Sequence, residues 1–197
     1  MAVFASRVGQ VPERVNYVSY IQSSGAQYIN SEVIGKSGVR VGAKVEWTDT
    51  VSDSALIGAR SGNTRFNVIH SYDNGLGYGY GSWVSVSKSI SAGTAYEITS
   101  TMKSGNQTVV VDGVTVHTAT VDTTYNTGLP MFLFGTNYGG TFDFKAKAKL
   151  YWMKIYENDV LIRDFWPCYD QDGVLCLYDK VEKKYYYNAG SGEFTAG

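Results

Sequence analysis

The stretch VRVGAKVEW, residues 39–47, alternates without a break: Val39, Val41, Ala43, Val45 and Trp47 fall on one side, and Arg40, Gly42, Lys44 and Glu46 on the other. A period of two is the repeat of an extended strand with one buried and one wet face. The rhythm returns along most of the chain. It is broken by short turns at Ser61-Gly62-Asn63, Asn74-Gly75, Ser104-Gly105-Asn106 and Asp112-Gly113, the residue types that tight hairpins require. Nowhere does a 3.6-residue apolar stripe persist, so no helix longer than a turn is expected. ALIGAR (55–60) and TRFNVIH (64–70) read as one hairpin, residues 95–121 as a three-strand meander, and LPMFLFGTN (129–137) as a single apolar strand. In residues 141–158, Phe142, Phe144, Ala146, Ala148 and Leu150 share a face. The phase slips near Trp152 and Met153 because Ile155 must also reach the core, and one extra residue in a β-bulge restores it. A tally of about eleven to thirteen strands predicts two antiparallel sheets packed face to face.

Composition agrees: 22 Gly and 16 Tyr against 3 Pro suit strands joined by tight turns. The 197 residues suffice for one large domain that buries roughly 70% of its unfolded surface. Lysine plus arginine number 17 against 18 acids, which leaves no long-range field for a polyanion, so nucleic acid and anionic membrane are excluded as first partners. No apolar run approaches the roughly 18 residues of a membrane span. Residues 1–15 follow neither period and contain Pro12, and they are expected to form an arm ahead of a single domain at 16–197. The apolar patch within them ends at Arg7, short of a signal-peptide core, which leads to the expectation of synthesis in the cytoplasm.

Both cysteines lie in PCYDQDGVLCLYD, residues 167–179. With Gln171-Asp172-Gly173 as a three-residue hairpin loop, Cys168 faces Cys176. Opposed residues about 4.5 Å apart at Cα stand at the tight end of disulfide geometry. Two reduced, core-facing thiols are favoured over a strained bridge formed outside the cell. His70 and His117 are too far off in sequence to complete a zinc set.

Candidate chemistry is sparse. A glycosidase needs two carboxylates about 5 Å or about 6.5–9.5 Å apart, and the nearest run, Glu46-Trp47-Thr48-Asp49, puts its acids on opposite faces of a strand. His70 and His117 have no Gly-x-Ser-x-Gly partner and are expected at the surface. Gly77 to Gly81 is not followed by a helix, so it is no phosphate loop. Asp170, Asp172 and Asp179 surround the last hairpin and make a thin case for calcium, which takes six to eight oxygens. The strongest binding candidate is Tyr72, Asp73 and Asn74 together with Tyr78, Tyr80 and Trp83, since aromatic faces stack on sugar rings and Asp and Asn take hydroxyls. The competing reading is that these rings cover glycine gaps within a sheet. Asn137 and Tyr138 form a second loop of the same chemistry. Of Tyr185-Tyr186-Tyr187, at least one ring is expected in the core.

YIQSSGAQYIN near the start and KIYENDVLIRDFWPCYDQDGVLCLYDKVEKKYYYNAGSGEFTAG at the end resemble the LamG-like, concanavalin A-like jelly-roll modules of bacteriophage and gut-bacterial surface proteins. GNQTVVVDGVTV is similar to that group's strand, Asp/Asn-Gly turn and strand, and ALIGARSG and LPMFLFGTN to its two apolar strands. The resemblance covers about residues 17–197. In that group the position of Cys168 is usually cysteine and that of Cys176 is not, which implies the unbridged form. Jelly-roll glucanases carry Glu-x-Asp-x-(x)-Glu, and nothing here matches it. The resemblance implies a two-sheet jelly roll acting as a carbohydrate-binding or adhesive module. The expectation is a non-catalytic virion surface protein of a phage, held to other virion proteins through the arm, touching host or mucosal glycans and forming homo-oligomers. The alternative is a carbohydrate-binding module of a secreted bacterial protein, extracellular or at the cell surface. An enzyme ranks last.

Overall fold

Alternation along residues 39–47 becomes burial: Val39, Val41, Ala43 and Val45 are fully enclosed while Arg40, Lys44 and Glu46 keep contact with water. Gly42 sits on the wet face yet is buried, because the Trp152 ring lies over it. The computed structural model describes residues 14–49 and 53–197. The expected arm therefore falls, apart from Arg14 and Val15, outside the described residues. All regular structure in the described residues is β, as two sheets that form a jelly-roll sandwich.

The eleven-stranded sheet runs in the order Val114–Ala119, Asn106–Val111, Ala95–Lys103, Val39–Trp47, Lys147–Glu157, Val160–Tyr169, Leu175–Asp179, Lys184–Tyr186, with Asn16–Tyr17, Ile21–Ser24 and Thr195–Ala196 joined at its side. The eight-stranded sheet runs Thr141–Asp143, Thr136–Tyr138, Ser54–Ser61, Thr64–Tyr72, Gly75–Tyr80, Ser82–Ser89, with Ile29–Lys36 and Asn126–Leu133 joined at its side. The pairs are antiparallel except Thr136–Tyr138 with Ser54–Ser61, which is parallel. Between the sheets lie Phe66, Tyr78, Phe134, Phe165, Ile21, Ile29, Leu56 and Met102, each fully buried. Large apolar side chains of this kind contribute roughly 1.5–3 kcal/mol apiece on burial.

Several sequence expectations hold in detail. The ladder between residues 39–47 and 147–157 shifts between Leu150 and Trp152, the place where the phase slip demands a bulge. Asp170 N–H donates to the Val174 carbonyl at 3.0 Å, Gly173 has φ +77°, and Cys168 pairs with Cys176. Both thiols are free and fully buried, their sulfurs 3.7 Å apart. Tyr186 is the ring of its triplet that reaches the core.

Elsewhere the chain departs from its period. Residues 129–137 are not one strand: Phe134 at φ +65° ends Asn126–Leu133, and a new strand starts at Thr136. Phe142 and Phe144 do not share the face of Ala146, Ala148 and Leu150. Phe144 has φ +48° and lies where the chain leaves the eight-stranded sheet for the eleven-stranded one, so the period of two persists through a change of sheet. The turn at residues 72–75 sits one position earlier than Asn74-Gly75. Asp73 and Asn74 take the two positive φ values and Tyr72 pairs with Gly75, since Asp and Asn enter that region more readily than other side-chain-bearing residues. His70 is not a surface residue, being 2% exposed.

Candidate functional site

In Gly75–Tyr80, Leu76, Tyr78 and Tyr80 point into the core, so Gly75, Gly77 and Gly79 must look out of the sandwich. The pairing carries that assignment sideways. Gly77 stands opposite His70 and Ser85, and Gly79 opposite Trp83, which places His70 and Trp83 on the outward face of the eight-stranded sheet. A Cβ on Gly77 would overlap the Trp83 ring. The missing side chains thus form a floor on which Trp83 lies flat enough to meet His70 edge-on, ring centroids 4.6 Å apart. Tyr72, about half exposed, tilts against Trp83 at 6.1 Å, and Phe144 flanks the other side of His70 at 5.8 Å.

Under these rings runs a one-way chain of hydrogen bonds. Thr136 Oγ1 donates to Asn67 Oδ1 at 3.2 Å, Asn67 Nδ2 to His70 Nδ1 at 3.2 Å, and His70 Nε2 to Asp53 Oδ1 at 2.8 Å. Thr136, Asn67 and His70 are buried, while Asp53 opens to solvent with a 48% exposed side chain. That direction requires a neutral imidazole protonated on Nε2. Burial pushes the His70 pKa down to about 4, against the opposing pull of Asp53. Asp53 is therefore held in place from beneath through one carboxylate oxygen.

The structure sorts the sequence candidates sharply. Trp83, Tyr72, Asp73 and Asn74 are together at one end of the outward face, the last two exposed in the turn. Tyr78 and Tyr80, expected as binding rings, are 0% and 2% exposed. The Gly-Tyr alternation sends every tyrosine inward and every glycine outward, so these two are core. Tyr78 meets His117 at 3.1 Å, and Tyr80 donates to the Thr123 carbonyl at 2.7 Å. Asn137 is likewise withdrawn: its amide donates to the Pro130 carbonyl and accepts from Gly140 N–H, which organises its own turn. Tyr138 does remain at the surface, on the same outward face, with the Arg60 guanidinium 4.5 Å above its ring.

The acids weighed for calcium are turned to other work. Asp179 is fully buried and accepts from the backbone N–H groups of Asp164, Val181 and Glu182, and Asp170 accepts from those of Asp172 and Val174. Among the described residues no three His, Cys, Asp or Glu side chains gather as a metal site.

Asp53, Asn67, His70, Thr136 and Phe144 were not among the sequence candidates. The available signal was register: once Gly77 is seen to face outward, its neighbour His70 must do so as well.

No protein-family model and no curated protein matches the sequence. Solved structures do match in fold. A candidate carbohydrate-binding protein from Bacteroides ovatus aligns with TM-score 0.65 at 10% identity over 92% of this chain, which spans 60% of that one. The CBM40 domain of the Ruminococcus gnavus IT-sialidase, solved bound to α2,3 sialyllactose, aligns with TM-score 0.54 at 15% identity over 78% of this chain and 95% of its own. The heptameric SAP-like pentraxin of Limulus polyphemus follows with TM-score 0.50 at 12% identity, covering 79% and 80%. At these identities the likeness is one of fold: all are two-sheet β-sandwiches of the jelly-roll kind, as this chain is.

Proposed function

We propose that this chain is a non-catalytic carbohydrate-binding module of the LamG-like type, binding sugar on the outward face of its eight-stranded sheet. The observation that carries the reading is Trp83 laid on the Gly77 floor, with Tyr72 beside it and the Asp53 carboxylate fixed by His70. The partly exposed Trp83 indole supplies stacking surface for the apolar side of a pyranose, and a pre-oriented carboxylate oxygen accepts hydroxyl hydrogens without first being ordered. One structural neighbour is named a carbohydrate-binding protein and another was solved bound to α2,3 sialyllactose, which agrees with that chemistry. Asp53 is bonded to an imidazole that stays neutral at ordinary pH, an arrangement for holding a group still. The setting we propose is a virion surface, for which the support is the resemblance of residues 154–197 to phage-borne modules.

A glycan array on the full chain tests the reading, with thermal melting as the control for folding. The wild type is expected to bind one sugar class saturably. Trp83→Ala and Tyr72→Ser should each weaken binding roughly tenfold or more, in line with the loss of about 1–2 kcal/mol of aromatic contact, while the Tyr72 variant melts as the wild type does. Equal binding by both variants would remove the site from this face.

A further inference from the structure

On the outward face, farther along the same ladder as His70, Arg60 and Arg65 stand directly opposite each other as Cα partners between residues 54–61 and 64–72. The neighbouring pair, Ala59 and Phe66, is fully buried in the core, so both arginines project to the solvent side. Like charges opposed across a ladder are destabilising. Among the described residues no carboxylate lies within ion-pair distance of either guanidinium. Elsewhere in the same molecule cations are paired: Lys149 meets Glu46 at 2.7 Å, Arg163 meets Glu182 at 2.6 Å and Lys184 meets Glu32 at 2.7 Å.

Both arginines are held in position. Arg60 lies over the Tyr138 ring and donates Nε to the Gly62 carbonyl at 3.0 Å, which leaves its terminal N–H groups free to point outward. The stem of Arg65 lies against Gly79, where a Cβ would come within 2.8 Å of its own. Gly79 in turn pairs with Trp83. From Tyr138 through Arg60, Arg65 and Gly79 to Trp83 the band crosses four strand spacings of the outward face, about 19 Å at the usual interval. This is a row long enough for an oligosaccharide, with stacking rings at its ends and a fixed positive centre.

We propose that the sugar bound on this face is acidic, and that Arg60 and Arg65 together receive a carboxylate carried by one of its residues. The proposal rests on the carbohydrate-binding reading and narrows it to a substrate class. A guanidinium presents its donors as a planar fork that matches a carboxylate, and an anion between the two arginines would cancel the repulsion that the free protein bears. The shared chemistry is a sugar carboxylate, which uronate polymers and sialylated glycans both offer.

The test is titration calorimetry on the full chain with matched probes: oligogalacturonate against its methyl ester, and sialyllactose against lactose. One acidic member is expected to bind at least tenfold more tightly than its neutral partner, and that preference should shrink as salt is raised. Arg65→Gln and Arg60→Gln should each weaken the acidic probe roughly tenfold to a hundredfold, the loss of a charged hydrogen-bonded contact. Arg65→Lys, which keeps charge without the fork, should recover only part of it. The Arg65→Gln protein should melt no lower than the wild type. That readout would move the other way if Arg65 served the fold. Equal affinity for acidic and neutral members, or unchanged binding in both arginine variants, overturns the proposal and leaves the carbohydrate reading standing. Absence of binding to every probe and every arrayed glycan overturns both.

Discussion

At the scale of single residues, His70 shows how a group can be made structural by its surroundings. The imidazole is 2% exposed and its pKa is driven down to about 4 by burial, whereas in the unfolded chain it returns to about 6.5. Its folded value lies below its unfolded value. The unfolded state therefore binds the extra proton first as pH falls, and stability drops between about pH 6.5 and pH 4, while above pH 6.5 the group has no effect. The expected loss from this one site is roughly 3 kcal/mol across the window. Urea unfolding of wild type and His70→Gln at pH 7 and pH 4.5 measures it: the difference between the two proteins should change by about 2–3 kcal/mol between those conditions. A constant difference would mean that His70 is not held neutral. No sequence cue disclosed this role, because its cause is burial, which only the pairing of distant strands creates.

At the scale of elements, the segment GLGYGYGSW is where sequence and structure part and then agree. That Gly alternates with Tyr is plain in the sequence, and so are both readings of it, a sugar-binding row or rings over glycine gaps. The alternation cannot say which face looks outward. The sheet decides by burying Leu76, Tyr78 and Tyr80, after which Gly77 becomes the seat of Trp83 from the adjacent strand. One aromatic of the run kept its expected place at the surface and two did not. This close approach is testable. Gly77→Ala forces a methyl group into the indole and crowds the Val84 carbonyl, which would lie 2.8 Å from it, so a cost of about 1–3 kcal/mol is expected. In a Trp83→Ala background the same change should cost distinctly less, because the ring is gone and only the carbonyl remains. Additive costs in that double-mutant cycle, read by chemical denaturation, would show that Trp83 does not lie on Gly77. The bulge near Trp152 and the hairpin at Gly173 were legible in full, since each follows from local phase and turn length. The breaks at Phe134 and Phe144 were not: the first lies inside an unbroken apolar run and stays within one sheet, and at the second a change of sheet leaves the apolar period intact.

At the scale of the whole molecule, the sandwich is closed by segments far apart in sequence. Ile21–Ser24 pairs on one side with Lys147–Glu157 and on the other with Thr195–Ala196, and the Gly197 carbonyl accepts the N–H groups of Ser19 and Tyr20. Phe194, 7% exposed, reaches Phe134, a ring centroid 5.3 Å away. The two-sheet architecture and the kinship of the first and last segments were legible from strand count and resemblance. The contact itself was not, since nothing local marks Phe194 as core in a run as polar as AGSGEFTAG. Its consequence is large because the ring joins the core beside Phe134. Truncation leaves a cavity among buried core side chains. Phe194→Ala is accordingly expected to lower unfolding free energy by about 3–5 kcal/mol, and Phe194→Leu by less than about 1.5 kcal/mol. Urea denaturation followed by tryptophan fluorescence measures both. If the alanine variant proves as stable as wild type, the Phe194 ring does not anchor this segment in the core, and its attachment must rest on the short ladder with Ile21–Ser24. If it unfolds as expected, long-range pairing gates the whole fold, and refolding should be slow, as it is for sandwiches rich in distant contacts.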